Sequence, residues 1–131
     1  MPNLDVWAPR VLSLLRIVSA LLFMEHGLMK IFHFPAAQPG APDPLPTLLL
    51  AAACLEIGGG ALLALGFFTR PVAFILSGQM AVAYFMAHAP AGFYPALNGG
   101  EAAVLYCFTF LYLALAGGGE WSVDALARKK P

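Results

Sequence analysis

Apolar residues fill four long stretches of this chain, and polar residues collect in the short segments between them. The stretches run from about Val11 to Phe32, Leu45 to Phe67, Pro71 to Ala89 and Gly100 to Ala116. A helix needs about 20 residues to cross a hydrocarbon core of roughly 30 Å. The pattern therefore predicts an all-α integral membrane four-helix bundle, a single domain over residues 1–131 with a tail at 117–131. None of the stretches alternates apolar and polar residues at period two, which excludes a transmembrane barrel.

The connections carry their own signals. Pro35, Pro39, Gly40, Pro42, Pro44 and Pro46 make the first loop extended, because proline restricts both itself and its predecessor. Gly66 marks the end of the second helix, Thr69 is an N-cap candidate, and Pro71 suits the first turn of the third. Pro90, Gly92 and Pro95 break the chain before the fourth helix, where Asn98 and Glu101 have the spacing of a capping box. Ser122 is placed to cap a short surface helix in the tail.

Composition agrees: 60% of residues are hydrophobic, 11% are charged, and the mean hydropathy is +0.78. Seven basic and seven acidic residues cancel, so no net field recruits nucleic acid. The lipid bilayer is the main partner implied. Arg10, Arg70, Arg128, Lys129 and Lys130 flank the spans, while the loops at 33–44 and 90–99 hold no lysine or arginine. With an even number of spans all five cations fall on one side, which puts both termini in the cytoplasm. Trp7 and Trp121 are set as interfacial anchors. The first apolar run contains Arg16, Glu25, His26 and Lys30 and lacks a small-x-small cleavage site, so it is read as a permanent span rather than a signal peptide.

Those four residues introduce the candidate chemistry, since ionisable groups within a bilayer usually face protein, pair, and mark a functional site. Glu56 lies on the second helix, Gln79 and His88 on the third, and Glu101 heads the fourth. At about 1.5 Å per residue, Glu25, His26, Glu56 and Gln79 fall roughly 10 to 15 Å below the outer surface, with Arg16 in the inner half, within reach of snorkelling. His26 and Lys30 are four apart and share a face. Glu25 points away from Arg16, toward a separate contact or a protomer boundary. Glu56 shares a stripe with Ala52, Ala53, Gly59, Gly60 and Ala64, which directs it into protein. Ser77, Tyr84 and His88 form an inward polar stripe on the third helix, with Gln79 on its other side. The expected interior cluster is His26, Lys30, Glu56, Tyr84 and His88, with Arg16 below it. His26 and Glu56 are the candidate catalytic pair; Arg16, Lys30, Tyr84 and His88 are candidate ligand-binding residues. Set against this, intramembrane hydrogen bonds also serve simply to fix helix register.

Cys54 and Cys107 have no metal-ligand spacing and read as small buried packing residues, so no metal site is expected. A haem between His26 and His88 is disfavoured by depths that differ by about 10 Å.

The segments Leu22-Phe23-Met24-Glu25-His26-Gly27 with Lys30 and Phe32, Glu56-Ile57-Gly58-Gly59 followed by Gly66-Phe67-Phe68-Thr69-Arg70, His88, Gly99-Gly100-Glu101 and Trp121-Ser122-Val123-Asp124 resemble the DoxX family of small four-span membrane proteins. The resemblance covers nearly the whole chain. The family takes its name from a membrane subunit of thiosulfate:quinone oxidoreductase, and other members are associated with quinone, thiol or oxidative-stress resistance, so the resemblance implies a bacterial inner-membrane protein that handles quinone or supports a redox partner. It assigns no reaction and leaves the cofactor open.

The leading expectation is a membrane oxidoreductase subunit with quinone or quinol as substrate. A histidine and a carboxylate can exchange protons with a reduced quinone, and a lysine can stabilise its oxyanion. No flavin, iron–sulfur or haem motif is visible, so electrons would come from a redox partner protein or an external cofactor. Two alternatives stay open: a non-enzymatic assembly or scaffold subunit of a membrane redox complex, and a small-molecule or proton pathway, which in so narrow a bundle calls for a homo-oligomer.

Overall fold

The computed structural model describes residues 2–129. A 3₁₀ turn at Leu4–Val6 leads into α1 (Ala8–Phe32), followed by α2 (Thr47–Leu65), α3 (Thr69–Ala83), the short α4 (Pro95–Asn98), α5 (Glu101–Ala116) and the tail helix α6 (Val123–Arg128). No strand is present among the described residues. Helix α3 runs on as a π-turn over Tyr84–His88 and a 3₁₀ turn over Ala89–Ala91. Three helical runs, Leu4–Phe32, Thr47–Leu65 and Thr69–Ala91, are long and apolar enough to cross a membrane. Helix α5 is equally apolar but has only 16 residues, a length of about 24 Å, short of a full hydrocarbon core.

Packing is pairwise: α1 lies along α2 and α3 along α5, with a thinner seam joining α2 to α3. The first pair can close because its contact residues are small. A Cβ added at Gly27 would stand 2.7 Å from the carbonyl oxygen of Ala53, so only glycine permits this approach. Phe23 stacks edge-on against Phe110 and Tyr106 and links the two pairs, with Ala20, Leu63, Leu76 and Leu113 around it. The outer surface carries many exposed large apolar side chains, among them Leu14, Val18, Leu22, Phe74, Leu105 and Phe108, as expected of a protein whose solvent is lipid.

At one end the N-terminal turn of α1, the end of α2, the start of α3, the end of α5 and the tail helix α6 converge. Arg10 pairs with Glu120 at 3.2 Å, and the Glu120 N–H donates to the Pro9 carbonyl. Arg16 is only 1% exposed. Rather than snorkelling, its guanidinium donates to the carbonyls of Gly118, Trp121 and Ala64. Ser13 Oγ accepts from the Trp121 N–H at 2.9 Å. Arg70 at this same end donates to the Leu115 carbonyl.

Several local expectations change. The N-terminus of α3 is not capped by Thr69, which is already helical; Phe68 holds the cap position, and the Asp124 carboxylate accepts from the N–H groups of Phe68 and Thr69, both at 2.9 Å. The cap comes from a residue more than fifty positions away, beyond the reach of local pattern. The capping box at α5 does not form either. Asn98 lies two residues before the Gly100 cap, so its side chain turns back to the Gly100 N–H, the Gly92 carbonyl and the Tyr84 hydroxyl. Cys54 is exposed on the outer face of α2 rather than buried, while Cys107 is half-buried beside Ser77. In the tail, Ser122 Oγ does cap α6, accepting from the Ala125 N–H at 3.1 Å. Lys130, one of the flanking cations, lies outside the described residues.

Candidate functional site

At the end of the bundle opposite Arg16, the four long helices line a cavity of about 590 Å³. The α1–α2 pair is closed by small residues, and the seam between α2 and α3 is thinner than the packing within either pair. Helix α1 contributes Phe23, His26 and Lys30 to the wall, and α2 contributes Glu56. Gln79 and His88 come from the α3 run and Tyr106 from α5.

The central feature is an ion pair. Lys30 Nζ lies 2.9 and 2.8 Å from the two carboxylate oxygens of Glu56, with side-chain exposures of only 10% and 5%. The i, i+4 spacing of His26 and Lys30 turns both toward α2 and α5. His26 meets the Tyr106 ring edge-on at 6.2 Å between centroids. Since the surroundings are apolar and each charge would be very costly alone, the pair is held together by mutual need. The ammonium keeps a third proton for another acceptor.

Gln79, left outside the expected cluster, lines the cavity. Helix α3 has two neighbours. Its Ser77 and Tyr84 side faces α5, with Ser77 Oγ donating to the Cys107 carbonyl at 2.7 Å. The opposite flank faces α2 and the cavity, and there Gln79 Nε2 donates to the Ala52 carbonyl at 3.3 Å. Being on the other side from Tyr84 thus puts Gln79 in the cavity wall. Tyr84, placed with the cluster on sequence grounds, is engaged elsewhere: its hydroxyl donates to Phe93 O and accepts from Asn98. His88 borders the cavity after the π-turn, with its Nδ1 donating to the Asn98 carbonyl at 3.1 Å. Arg16 belongs to the knot at the far end. Glu25 is exposed on the outside of α1 and makes no hydrogen bond or ion pair among the described residues.

Two wall residues escaped sequence reasoning. Tyr106 sits four residues before Phe110, and that aromatic spacing on one face of α5 was the available signal. Gln38, from the first loop, borders both the cavity and a smaller pocket of about 170 Å³ against Lys30 and His33, and nothing in a proline-rich loop announces such a return. No cluster of three or more metal-ligating side chains occurs among the described residues.

The DoxX family model matches residues 11–89, from the body of α1 to the end of the α3 run and therefore most of the cavity wall. The chain belongs to the DoxX family. Among similar proteins, an uncharacterized protein of Haemophilus influenzae (strain ATCC 51907 / DSM 11121 / KW20 / Rd) is 43% identical over 134 aligned residues, covering 99% of this chain and 100% of the relative. Inner membrane protein YqjF of Escherichia coli (strain K12) is 32% identical, covering 88% of this chain and 90% of the relative. No solved structure matches this chain. This DoxX-family member is a membrane protein, and its apolar exterior, its helical bundle and its polar cavity are the features from which a function has to be read.

Proposed function

We propose that this DoxX-family protein is a bacterial inner-membrane subunit that binds a quinone or quinol in the cavity between its helices and serves an oxidoreductase whose electrons come from a partner protein. The observation that carries the reading is the Lys30–Glu56 pair set in the wall of a cavity of about 590 Å³, a size suited to a small organic ligand. The mouth supports it. Leu48, Leu55, Ile75, Val82 and Met86 line the cavity and are also exposed on the apolar outer surface, so a lipid-soluble molecule has direct access from the bilayer. Inside, Lys30 can stabilise a quinone oxyanion, and Glu56 and His26 can carry protons to and from it.

In this reading the chain acts as one unit that crosses the bilayer four times, with the short α5 completing the bundle. The end that gathers Arg10, Arg70, Arg128 and Lys129 faces the cytoplasm, as the positive-inside tendency favours. The cavity then opens in the periplasmic half.

The test is ligand-induced stabilisation of the full chain in nanodiscs. Ubiquinone-1 at about 100 times its Kd is expected to raise unfolding free energy by about 2.7 kcal/mol, and Glu56→Gln and Lys30→Met are expected to reduce that rise. No stabilisation of the unmodified protein by ubiquinone-1 or ubiquinol-1 would sink the proposal.

One observation favours a second role beside the first. Glu25 stands exposed on the lipid-facing side of α1, and a carboxylate at that depth calls for a polar partner helix. An assembly subunit of a membrane redox complex would supply one. Glu25→Leu should then release a co-purifying partner in mild detergent without altering the quinone response.

A further inference from the structure

Helices α3 and α5 run antiparallel in a register fixed at three levels. Arg70 donates to the Leu115 carbonyl, Ser77 Oγ donates to the Cys107 carbonyl at 2.7 Å, and a Cβ added at Gly100 would stand 2.7 Å from the Tyr84 ring. Tyr84 is therefore level with the start of α5. With the exposed Arg70 at one edge of the hydrocarbon, the 16 residues of α5 end about 24 Å away, inside the opposite edge of a core roughly 30 Å thick. The α3 run continues past Tyr84 to Ala91, about 10 Å farther. The connection from Gly92 to Gly100 thus starts just beyond the hydrocarbon edge and returns to a point within it.

This connection is built for lipid rather than water. It contains no Asp, Glu, Lys, Arg or His, and its Phe93, Tyr94 and Leu97 are 84%, 65% and 85% exposed. The first loop, at the same end of the bundle, carries His33 and Asp43. Non-helical backbone at membrane depth must find its hydrogen bonds within the protein, and side chains provide several here. Asn98 donates to the Gly92 carbonyl at 2.9 Å and accepts from the Gly100 N–H at 2.8 Å. The Tyr84 hydroxyl donates to the Phe93 carbonyl, and His88 Nδ1 donates to the Asn98 carbonyl. Tyr84 and Asn98 therefore have a task separate from any ligand in the cavity.

We infer that the α3–α5 connection is a lipid-anchored roof, with Phe93, Tyr94 and Leu97 inserted among the upper acyl chains of the leaflet opposite the Arg16 end. The partner is the bilayer itself. An exposed apolar cluster marks an interaction surface, its lack of charge suits no polar partner, and a tyrosine belongs at the boundary between headgroups and hydrocarbon. His88 and Gly99, which flank the connection, border the cavity, so anchoring it in lipid fixes one margin of that cavity. The inference is independent of what the cavity binds.

The experiment places a single tryptophan in the connection. Phe93→Trp and Leu97→Trp are each made in the full chain carrying Trp7→Phe and Trp121→Phe, and reconstituted in phosphatidylcholine vesicles at a high ratio of lipid to protein. Emission from both is expected to be quenched more by lipid brominated near the headgroup end of its acyl chains than by lipid brominated near the methyl end. Acrylamide in the water should quench them several-fold less than it quenches free N-acetyltryptophanamide. Tyr94→Trp provides a third reporter should either variant fail to assemble. Full quenching by acrylamide with no response to either lipid means an aqueous loop and overturns the inference. Shielding from acrylamide and from both lipids means that protein covers the cluster, and overturns it as well. Stronger quenching near the methyl end sets the segment deeper than the register allows and overturns the assigned level.

Discussion

Arg16 and the Lys30–Glu56 pair are both charge buried in a membrane protein, yet their surroundings have opposite character. Around Arg16 the space is full. Its guanidinium meets three backbone carbonyls, and a Cβ added at Gly118 would stand 2.9 Å from both the Thr69 hydroxyl and the Ser122 side chain. Lys30 and Glu56 instead line a cavity of about 590 Å³. Both regions hold buried polar atoms without a partner, Arg16 Nε and the Thr69 hydroxyl at one end and the Gln79 and Gln38 side-chain oxygens at the other. Burial alone therefore does not distinguish a structural charge from a functional one. What differs is the space beside the charge: Arg16 is packed against backbone carbonyls, whereas Lys30 and Glu56 border a cavity.

The sharpest way to break this contrast is to remove Arg16. Arg16→Met leaves three carbonyls without their donor, at about 1 to 3 kcal/mol each, so a loss of about 3 kcal/mol or more is expected. Reversible unfolding in mixed micelles, followed by circular dichroism, measures it. The folded fraction should keep its ligand affinity. A loss below about 1 kcal/mol would mean that the knot is dispensable and the contrast misplaced.

The pair should behave differently. In Lys30→Met/Glu56→Met no uncompensated charge remains, and replacing a buried pair by apolar side chains is often neutral or stabilising. The double variant is expected to lie within about 1.5 kcal/mol of the unmodified protein while losing its response to quinol. Glu56→Met alone should be less stable than the double variant, because it strands an ammonium. If the double variant unfolds as readily as Arg16→Met, the pair is a structural clamp like the one at the other end.

Much of this contrast could be read in advance for one region and little for the other. The i, i+4 pairing of His26 with Lys30 and the small-residue stripe beside Glu56 are helical periodicities, and they point both helices' polar groups at one another. Gln79 was correctly set on the flank opposite Tyr84, but which flank borders the cavity depends on how α3 packs between α2 and α5, and a single helix wheel does not contain that information. The knot was illegible for a related reason. Arg16, Ser13, Asp124 and Gly118 are brought together by the folding back of the tail, and each interaction spans more than fifty residues. Glycines at 117–119 suggest a turn, whereas their role as a carbonyl cradle emerges only with the tertiary fold.

The smallest effect concerns the edge of the knot, where Asp124 caps α3. Partial burial alone would raise its carboxyl, but hydrogen bonds from the N–H groups of Thr69 and Phe68 and the charge of Arg128 outweigh that and hold it below the ordinary carboxylate range. With the folded value depressed, the unfolded chain binds more protons in the interval between the two values, so stability rises with pH there. The contribution is fully present above the unfolded carboxylate value of about 4 and is lost as pH falls through the lower, folded value. Asp124→Ala should cost about 1 kcal/mol at neutral pH, the usual worth of a cap. The difference between the two proteins should shrink as the pH drops below about 4. Unfolding measured from neutral to strongly acidic pH tests this directly, and parallel curves for the two proteins would show that the cap is held by something other than the Asp124 charge. The same variant should leave ubiquinol-1 affinity untouched, because the knot and the cavity lie at opposite ends of the bundle and share no side chain.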